Sequence, residues 1–535
     1  MASTVTRVSR RSFGTGLTTA ALLGKAALAQ ETPRRGGTLV ATWGGGEPQA
    51  CYVPAGGGPS PTFSSSKLLE RLASRRMDGE FQGELAESWK PAADFRSYAI
   101  RIRRDVAFHD GKDMTVDDVV YSIEEIWRKH ASAASLTGLA GVAAPDADTV
   151  VVRFDKPVPA FFFASLLCSP ANYIVPRHVY AGSDPAANPA NSAPIGTGPW
   201  KFKEWVRGSH FEYVRNESYW RRDLPYLDRL IIRYVRDPAG RTAAIEAGDI
   251  HIGVFNPVPL PDIRRLAATT GFVVTTKGYE EAVWSTTLEC NMRNPVLAKR
   301  EVRQAMFFAI DRKLIARTVY YGYARPGTSP IYSPNSAFFT SDVFSTAFDP
   351  RKAAALLDAA GHPKKAGGKR FTLDLVAAGW IAENGKVGAI VKQGLEEIGV
   401  GVNLVVPDRA TSIKRIYADY DFDLAISNQA NPSEPVPITT QYYTSDGISK
   451  GVPFRNASGF HTPEVDALVD RIKVEADPGR RRALVVDFQK MVSVEAPLLP
   501  LVELDSITLA GSRVQNHSND PNFLAASWHD LWLES

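Results

Sequence analysis

Apolar residues alternate with polar residues over 97–103 and then recur at helical spacing, which predicts a strand followed by a helix. Tyr98, Ile100 and Ile102 share one side of the predicted strand. A turn follows at 109–111 (His-Asp-Gly), and Thr115 with Asp118 forms a capping-box pattern that starts the helix. We interpret 86–89, before the strand, as the end of an earlier helix.

In the second half of the chain, stretches with the apolar spacing of strands alternate with stretches that have the apolar spacing of helices. Residues 371–376 predict a strand, 386–398 a helix and 402–406 a second strand, which together make a βαβ unit with parallel strands. A further strand is predicted at 421–426, and it leads into a polar, proline-rich loop at 427–437. Crevices form beyond the carboxyl ends of parallel strands, so this loop is expected to line a cleft.

Periodicity and capping residues predict most of the remaining elements. Strands are expected at 37–43, 149–154 and 230–235, a buried segment at 161–168, and helices at 63–71, 291–310, 314–318, 352–360, 464–475 and 480–494. Asp311 and Asp349 stand where helix N-caps are expected.

Composition indicates a soluble globular chain of two or three domains, because its 535 residues are 44% hydrophobic and 22% charged. Four of the 62 basic residues lie in the first 29 positions, which contain no acid, so the remaining basic residues match the 58 acidic ones in number. This balance gives no electrostatic reason to expect nucleic acid or an anionic membrane as a partner.

The first 29 residues have the pattern of an export signal. Arg10 and Arg11 precede a mildly apolar run at 14–24, and 27–29 (Ala-Leu-Ala) forms a small-residue cleavage site. The paired arginines favour a twin-arginine signal peptide and a periplasmic location. No cysteine follows the site, and no run of about 18 apolar residues occurs, so we expect neither a lipid anchor nor a transmembrane span.

A search for catalytic or metal-binding motifs finds none. The sequence has no GxSxG, Walker A, HExxH or CxxC pattern, and its nine histidines are scattered. Its three cysteines allow at most one disulfide. This absence gives only a weak reason to expect no cofactor, no metal and no enzymatic activity, because catalytic triads do not require proximity in the sequence.

Several motifs occur in a fixed order and together resemble a known family. They are the 86–89 Ala-Glu-Ser-Trp opening, the alternating strand, 108–111 (Phe-His-Asp-Gly), 115–119, 195–202 with its Gly-Thr-Gly-Pro-Trp, and 291–331. They resemble family 5 of the extracytoplasmic solute-binding proteins, which serve peptide, nickel and opine importers. The resemblance implies a two-lobed α/β periplasmic-binding-protein fold (type II, large cluster with an extra subdomain), with mixed sheets flanked by helices and a hinge between the lobes.

The same resemblance implies a division of the chain. The segments are the signal peptide at 1–29, lobe I at 36–60, 191–280 and 506–535, an extra subdomain packed on lobe I at 61–190, and lobe II at 281–505.

The implied function is periplasmic capture of a small peptide or peptide-like solute between the lobes, followed by delivery to the permease of an ABC importer in the inner membrane. We expect a monomer. Two alternatives stay open: the same fold could carry an opine, a sugar derivative, nickel or haem, or, less favoured, the chain could be a periplasmic hydrolase.

The cleft residues expected from this resemblance lie after the predicted strands. They are Trp43, Gly44, Gly45, Gly46, Trp380, Arg409, Asn428, Gln429, Asn431 and Glu434.

One departure from the family pattern concerns the solute. Peptide binders of the family carry an Asp that pairs with the peptide ammonium, in a motif like Ala-Asp-x-x-Glu/Asp-Pro, whereas 430–435 here is Ala-Asn-Pro-Ser-Glu-Pro. Neutral Asn431 cannot neutralise a desolvated ammonium. Either Glu434 substitutes for the Asp, or the solute lacks that cation, or Asn431 is only a turn residue before Pro432.

Overall fold

The strand predicted at 97–103 is present as Ser97–Ile102, with Tyr98 and Ile100 fully buried and Ile102 nearly so. It belongs to a four-stranded antiparallel sheet. In spatial order the strands are Ala86–Pro91, Ser97–Ile102, Thr149–Phe154 and Leu139–Ala143. The interpretation of 86–89 as a helix end is wrong: these residues form an edge strand with a largely exposed face, which gives little apolar periodicity.

The structure is a computed structural model. It describes residues 32–534 except 53, 55–57, 132–135, 137, 282, 334–336, 345–346 and 437. The predicted signal peptide lies outside the described residues.

A seven-stranded sheet forms the centre of the segments assigned to lobe I. In spatial order its strands are Phe272–Thr275, Thr508–Gly511, Ile252–Val254, Thr38–Trp43, Arg229–Arg233, His210–Arg215 and Trp200–Val206. The strand Thr38–Trp43 pairs in parallel with both of its neighbours. One continuous hydrophobic core joins this sheet to the four-stranded sheet, with Leu39 and Ile232 in the same cluster as Tyr98.

A six-stranded sheet forms the centre of the segment assigned to lobe II. In spatial order its strands are Ala324–Pro326, Leu498–Leu504, Val283–Cys290, Leu424–Asn431, Phe371–Ala377 and Val400–Val405. The predicted βαβ unit is confirmed, because the last two strands are parallel and flank the helix Glu383–Glu397.

The strand predicted at 421–426 instead spans Leu424–Asn431, so the prediction of a loop from 427 is wrong for its first five residues. Only the first three residues of this strand pair with Phe371–Ala377. All eight pair with Val283–Cys290 on the other side, and this antiparallel ladder carries the strand onward to Asn431.

Two helix predictions also need correction. The helix expected at 63–71 is Pro59–Ser65, because the carbonyl of Leu68 accepts a hydrogen bond from the Gly198 amide and does not continue the helix. The helix expected at 291–310 begins only at Arg300. Before it, the side chain of Asn291 donates to the Phe422 carbonyl and holds a turn.

Helices make up much of the remaining regular structure, some packed on these sheets and some on one another. They are Pro59–Ser65, Val116–Tyr121 with the π-helix Ser122–Ala131, Ala160–Cys168, Arg177–Tyr180, Pro238–Glu246, Leu260–Ala267, Arg300–Ala309, Arg312–Thr318, Pro350–Ala359, Glu383–Glu397, Arg409–Ile413 with the π-helix Lys414–Asp419, Pro463–Val474 and Pro478–Glu495. A two-stranded ribbon, Ala73–Arg75 with Phe81–Gly83, lies among them in sequence. Within the described ranges, every helix is too short or too polar to cross a bilayer.

The chain crosses between the two large sheets at 276–282 and again at 505–507. The lobe boundaries predicted at 280/281 and 505/506 fall inside these two connections. The exact domain boundaries stay a prediction.

Candidate functional site

The first strand ends in a tightly packed turn. The Trp43 ring is buried and stacks on Phe63 with 5.4 Å between ring centroids. A Cβ atom on Gly44 would lie 2.0 Å from the Phe255 carbonyl oxygen, and one on Gly45 would collide with the Trp43 ring. Gly46, in contrast, is exposed and has open space around it. Glycine at 44 and 45 is therefore required by packing.

The amide of Asn428 holds two predicted site residues together. Its Oδ1 accepts hydrogen bonds from Trp380 Nε1 at 3.2 Å and from Asn384 Nδ2 at 2.8 Å, and its Nδ2 donates to Thr286 Oγ1 at 3.1 Å. Since every polar atom of this amide is used, Asn428 positions the half-exposed Trp380 ring, which also contacts Phe454.

Gln429 and Asn431 face the opposite side of the same strand, where their polar groups are not fully paired. Asn431 Nδ2 donates to the Pro330 carbonyl at 2.8 Å. Asn431 Oδ1 and Gln429 Nε2 are buried and find no hydrogen-bond partner among the described residues. Both side chains are at least nine-tenths buried.

The carboxylate of Glu434 is already occupied. Arg481 donates to both of its oxygens, at 2.7 and 2.8 Å, and both side chains are buried. The Val436 amide also donates to Glu434. This bidentate pair ties the loop after Asn431 to the helix Pro478–Glu495, so the charge of Glu434 is balanced within the protein.

Arg409 stands apart from the other predicted residues. It is exposed at the start of the short helix Arg409–Ile413, whose N-cap is Asp408. The structure gives it no hydrogen bond or ion pair to another described residue, and its role as a ligand contact stays a prediction.

A row of aromatic rings connects the first strand to the second sheet. Trp43 lies 6.2 Å from Phe255, and Phe255 lies 6.5 Å from Trp284. Trp284 pairs directly with Ala430 in the strand ladder. The first-strand residues and the 428–431 residues therefore lie at the two ends of one aromatic row.

A further group of residues joins the two halves and was not predicted from the sequence; we call it the seam. It consists of Arg75, Phe161, Glu281, Phe338 and Ser433. Arg75 Nη1 donates to Glu281 Oε1 at 2.5 Å, and Ser433 Oγ donates to Glu281 Oε2 at 2.5 Å. The Phe161 and Phe338 rings meet edge to face, with centroids 5.4 Å apart. Arg75 and Phe161 belong to the predicted extra subdomain, and Ser433 and Phe338 to the predicted lobe II.

No local motif marks the seam. Arg75 lies in a ribbon strand just after the misplaced 63–71 helix, and Glu281 precedes the strand Val283–Cys290. Glu281 comes close to Ser433 only because the strand that follows it, Val283–Cys290, pairs with Leu424–Asn431. That pairing joins residues far apart in the sequence, so it could not be predicted from a local pattern.

Burial also raises the pKa of an acid near the site. Glu289, on the same sheet face as Gln429, is fully buried, and desolvation raises its pKa to about 7. Its Oε1 has no partner among the described residues.

Other candidate sites lie elsewhere. One His–carboxylate group in the described part of the chain, Glu204, His210 and Glu212, has its ligand atoms within 4.8 Å of each other. It sits on the outer strands of the first large sheet, and Glu212 already pairs with Lys203 and Arg229. An open groove of about 530 Å³ between Arg264, Lys313 and Arg317 contains none of the predicted residues.

The chain has two large sheets flanked by helices, two connections join them, and polar and aromatic residues lie where they meet. This arrangement is that of a two-lobed solute-binding protein. Residues 80–450 match the family described as bacterial extracellular solute-binding proteins, family 5, middle. The chain belongs to this family, and the two-lobed α/β fold that the sequence motifs implied is confirmed.

Relatives and solved structures cover most of the chain. A putative ABC transporter peptide-binding protein of Brucella ovis is 27% identical over 454 residues, which is 81% of each protein. The nickel-binding periplasmic protein of Escherichia coli is 23% identical and covers 86% of this chain and 88% of its own. The Agrobacterium tumefaciens R10 protein AgaA, solved with agropinic acid, is 26% identical with a TM-score of 0.76, over 93% of this chain and 99% of its own. CtaP of Listeria monocytogenes shares the fold, with a TM-score of 0.81 at 22% identity, over 94% of this chain and all of its own.

Proposed function

We propose that this protein is the periplasmic solute-binding component of an ABC importer and captures a small peptide or peptide-like solute between its lobes. The observation that carries the proposal is the seam, in which Arg75 of the extra subdomain pairs with Glu281, in the connection just before the second large sheet, and Glu281 also accepts a hydrogen bond from Ser433. The Brucella relative and the Bacillus subtilis relative AppA, named an oligopeptide-binding protein, support a peptide-like solute.

The proposed mechanism is closure of the two lobes about the connections at 276–282 and 505–507. A solute stabilises the closed form only by the amount that it prefers that form over the open one. Closure excludes water from the seam, which strengthens each hydrogen bond and ion pair to the solute. The closed form then docks on the membrane permease, where opening releases the solute.

The proposed contacts are drawn from both halves. The turn at Trp43–Gly46 contributes the lobe I side, while Trp380, Gln429 and Asn431 contribute the lobe II side. The unpartnered buried atoms of Gln429 and Asn431 support this assignment, because an unpaired buried polar group costs about 1–3 kcal/mol. The paired Glu434 is assigned to holding the loop, and Arg409 to the outer edge of the cleft.

A non-peptide solute such as an opine is the second candidate. Asn431 is neutral and Glu434 is consumed by Arg481, so neither of them offers a free carboxylate to a peptide ammonium. The AgaA structure with agropinic acid supports this candidate.

Several finer features belong to the same proposal. The first 29 residues would act as a twin-arginine signal peptide that is removed on export to the periplasm. The mature chain would work as a monomer without cofactor, and it would return its solute chemically unchanged.

The experiment is native mass spectrometry of the full chain purified from the periplasm of producing cells, followed by identification of any released small molecule. We expect one retained solute per chain, unchanged in mass after prolonged incubation with the protein. Conversion of the solute during incubation would indicate a hydrolase. Failure to retain any solute, or to bind peptides added afterwards, would contradict the proposal.

A further inference from the structure

The open groove of about 530 Å³ lies beside one of the two connections between the large sheets; we call it the hinge groove. Its lining includes Arg264, Lys313, Arg317, Tyr321 and Tyr323. The carbonyl of Tyr323 accepts a hydrogen bond from the amide of Asp505 at 3.1 Å, at the start of the connection 505–507. The groove is therefore next to a segment about which the lobes are proposed to rotate.

Both predicted lobes contribute walls to the hinge groove. Arg264 lies on the helix Leu260–Ala267 of the predicted lobe I, whereas Lys313 and Arg317 lie on the helix Arg312–Thr318 of the predicted lobe II. Leu260, at the start of the first helix, packs against hydrophobic cores on both sides of this boundary. Rotation of one lobe against the other must therefore change the separation between Arg264 and the other two cations.

The three cations of the hinge groove lack a compensating charge. Arg264, Lys313 and Arg317 are exposed, and none of their side chains makes a hydrogen bond or an ion pair with another residue in the described ranges. Among the described residues that line the groove, none is acidic. The neighbouring Arg265, in contrast, pairs with Glu246 and Asp262. Because a concave surface lined by charges of one sign focuses its potential, this groove attracts anions.

We propose that the hinge groove binds a multivalent oxyanion of the phosphate type, and that the bound anion stabilises the arrangement in which the seam is formed. Guanidinium groups recognise phosphate oxygens as a planar fork, and an ammonium group does so as a point charge. The groove offers two of the first kind and one of the second. The binding site stands on its own geometry, while its effect on the lobes rests on the proposed function.

The exposure of the three cations determines the charge that the anion needs. A single exposed ion pair contributes little, because water and salt screen it. A monovalent anion such as acetate compensates only one cation and leaves the repulsion between the others. A condensed phosphate carries several negative charges along one chain, so it reaches all three cations at once.

The effect on the lobes follows from the origin of the cations. An anion that contacts all three prefers one separation of the two helices, and it shifts the equilibrium by the difference in its affinity for the two arrangements. In this structure the three cations line one groove while Glu281 keeps its contacts with Arg75 and Ser433. The anion is therefore expected to favour the arrangement in which the seam is formed.

The test is calorimetric titration of the full chain with inorganic triphosphate, at constant ionic strength and without divalent metal ions. We expect one triphosphate to bind per chain. Each of Arg264→Gln, Lys313→Gln and Arg317→Gln should weaken binding about 2- to 5-fold, and the triple variant about 10- to 100-fold. The triple variant should keep the wild-type melting temperature in the absence of triphosphate, since all three side chains are exposed.

Arg265→Gln is the matched control, because it removes the same charge one residue away from a side chain that is already paired. Its affinity for triphosphate should stay within about twofold of the wild type. Equal weakening in Arg265→Gln and Arg264→Gln would mean diffuse attraction and overturn the site. Absence of saturable binding to the wild type, or binding only to vesicles of phosphatidylglycerol, would also overturn it.

The effect on the lobes is measured separately, in protein without solute. Spin labels at Met77→Cys and Ser341→Cys, on either side of the seam, report its width by double electron–electron resonance. Triphosphate should shift the distribution towards shorter distances in the wild-type background and leave it unchanged in the triple variant. An unchanged distribution in both, with triphosphate bound, would overturn the coupling. Failure to retain any solute contradicts the solute-binding function and leaves the triphosphate titration unaffected, so the two proposals fail independently.

Discussion

Polar side chains share one buried face of the strands Val283–Cys290 and Leu424–Asn431. The register sets Ser285 opposite Gln429, Val283 opposite Asn431 and Glu289 opposite Ala425. Three of the polar atoms on this face, in Gln429, Asn431 and Glu289, have no partner among the described residues. Unpaired buried groups are rare in folded proteins, and each one calls for a functional or structural explanation.

Asn431 donates a hydrogen bond to the Pro330 carbonyl, so we expect an aspartate at this position to lower the free energy of unfolding by an amount that depends on pH. Asn431→Asp replaces a donor by a carboxylate that faces that carbonyl, so we expect a loss of at least about 2 kcal/mol in unfolding free energy at pH 7. Burial should raise the pKa of the new acid, and its protonated form can donate to Pro330. The loss should therefore shrink as pH falls towards about 4.

Urea unfolding of Asn431→Asp between pH 4 and 8 checks this expectation. Asn431→Leu is the matched control, because it loses the same hydrogen bond and adds no titrating group. Its stability difference from the wild type should not change with pH. A pH-independent loss in Asn431→Asp would mean that the side chain reaches solvent.

The burial of Glu289 predicts a second effect of pH on stability, and its sign follows from the raised pKa of this group. Its folded pKa is raised by burial from 4.5 to about 7, so the folded state holds the proton more tightly than the unfolded state. Stability due to this group is present below pH 4.5 and is lost as pH rises through 7, by about 3 kcal/mol in total. Glu289→Gln should therefore gain about that much relative to the wild type between pH 4.5 and 8.

Thermal or urea unfolding across that range measures the gain, with the exposed Glu464→Gln as control. Comparison with the wild type at each pH removes the contribution of Glu70, whose pKa is also raised to about 7 by burial. A constant difference between Glu289→Gln and the wild type would show that Glu289 titrates in the folded protein as it does in the unfolded chain.

At the scale of single elements, the buried Glu434–Arg481 pair anchors the loop after the 424–431 strand to the helix Pro478–Glu495. Removing one member leaves a buried, uncompensated charge, so Arg481→Met should cost about 3–5 kcal/mol. Arg480→Met, at the preceding residue, breaks only the exposed pair with Glu475 and should cost less than about 1 kcal/mol.

Urea midpoints of the two methionine variants, together with Glu434→Gln/Arg481→Met, check this prediction. The double variant should recover part of the loss. If Arg481→Met were as stable as Arg480→Met but no longer retained solute, Glu434 would have to be assigned to the solute.

The turn after the first strand predicts a sharp contrast between neighbouring glycines. A Cβ atom at Gly44 meets the backbone oxygen of Phe255 at 2.0 Å, whereas one at Gly46 meets nothing within 4 Å. Gly44→Ala should cost about 1–3 kcal/mol and weaken solute retention, because the strand end must move. Gly46→Ala should match the wild type in melting temperature and retention, and equal behaviour of the two variants would contradict the packing described here.

Elements with a clear local period could be predicted from the sequence, and those set by distant partners could not. The helix Pro350–Ala359 and its Asp349 cap follow from adjacent residues, and so does the strand Ser97–Ile102. The strand Leu424–Asn431 extends through Ser427–Asn431 only because Val283–Cys290 pairs with it, and that partner lies far away in sequence. Its polar composition therefore indicated a loop.

At the scale of the whole molecule, two α/β halves meet at the seam. Sequence motifs identified the family and hence the two-lobed plan, but they placed only part of the site. Arg75 and Glu281 are 206 residues apart, and Ser433 is 152 residues from Glu281, so no local pattern could bring them together. Trp380, in contrast, follows the strand Phe371–Ala377, and Asn428 lies in the parallel strand next to it, Leu424–Asn431; the structure joins the two side chains by a hydrogen bond.

The central claim is that the two halves close over a solute, and a distance across the seam measures it most directly. Spin labels at Met77→Cys, in the exposed turn after Arg75, and at Ser341→Cys, close to Phe338, report that distance by double electron–electron resonance. The native cysteines form no disulfide and two of the three are buried. We expect a short, narrow distance distribution in protein that retains its solute, a longer and broader one after the solute is stripped, and recovery when it is added back. An identical distribution in all three samples, with solute binding confirmed, would contradict the account.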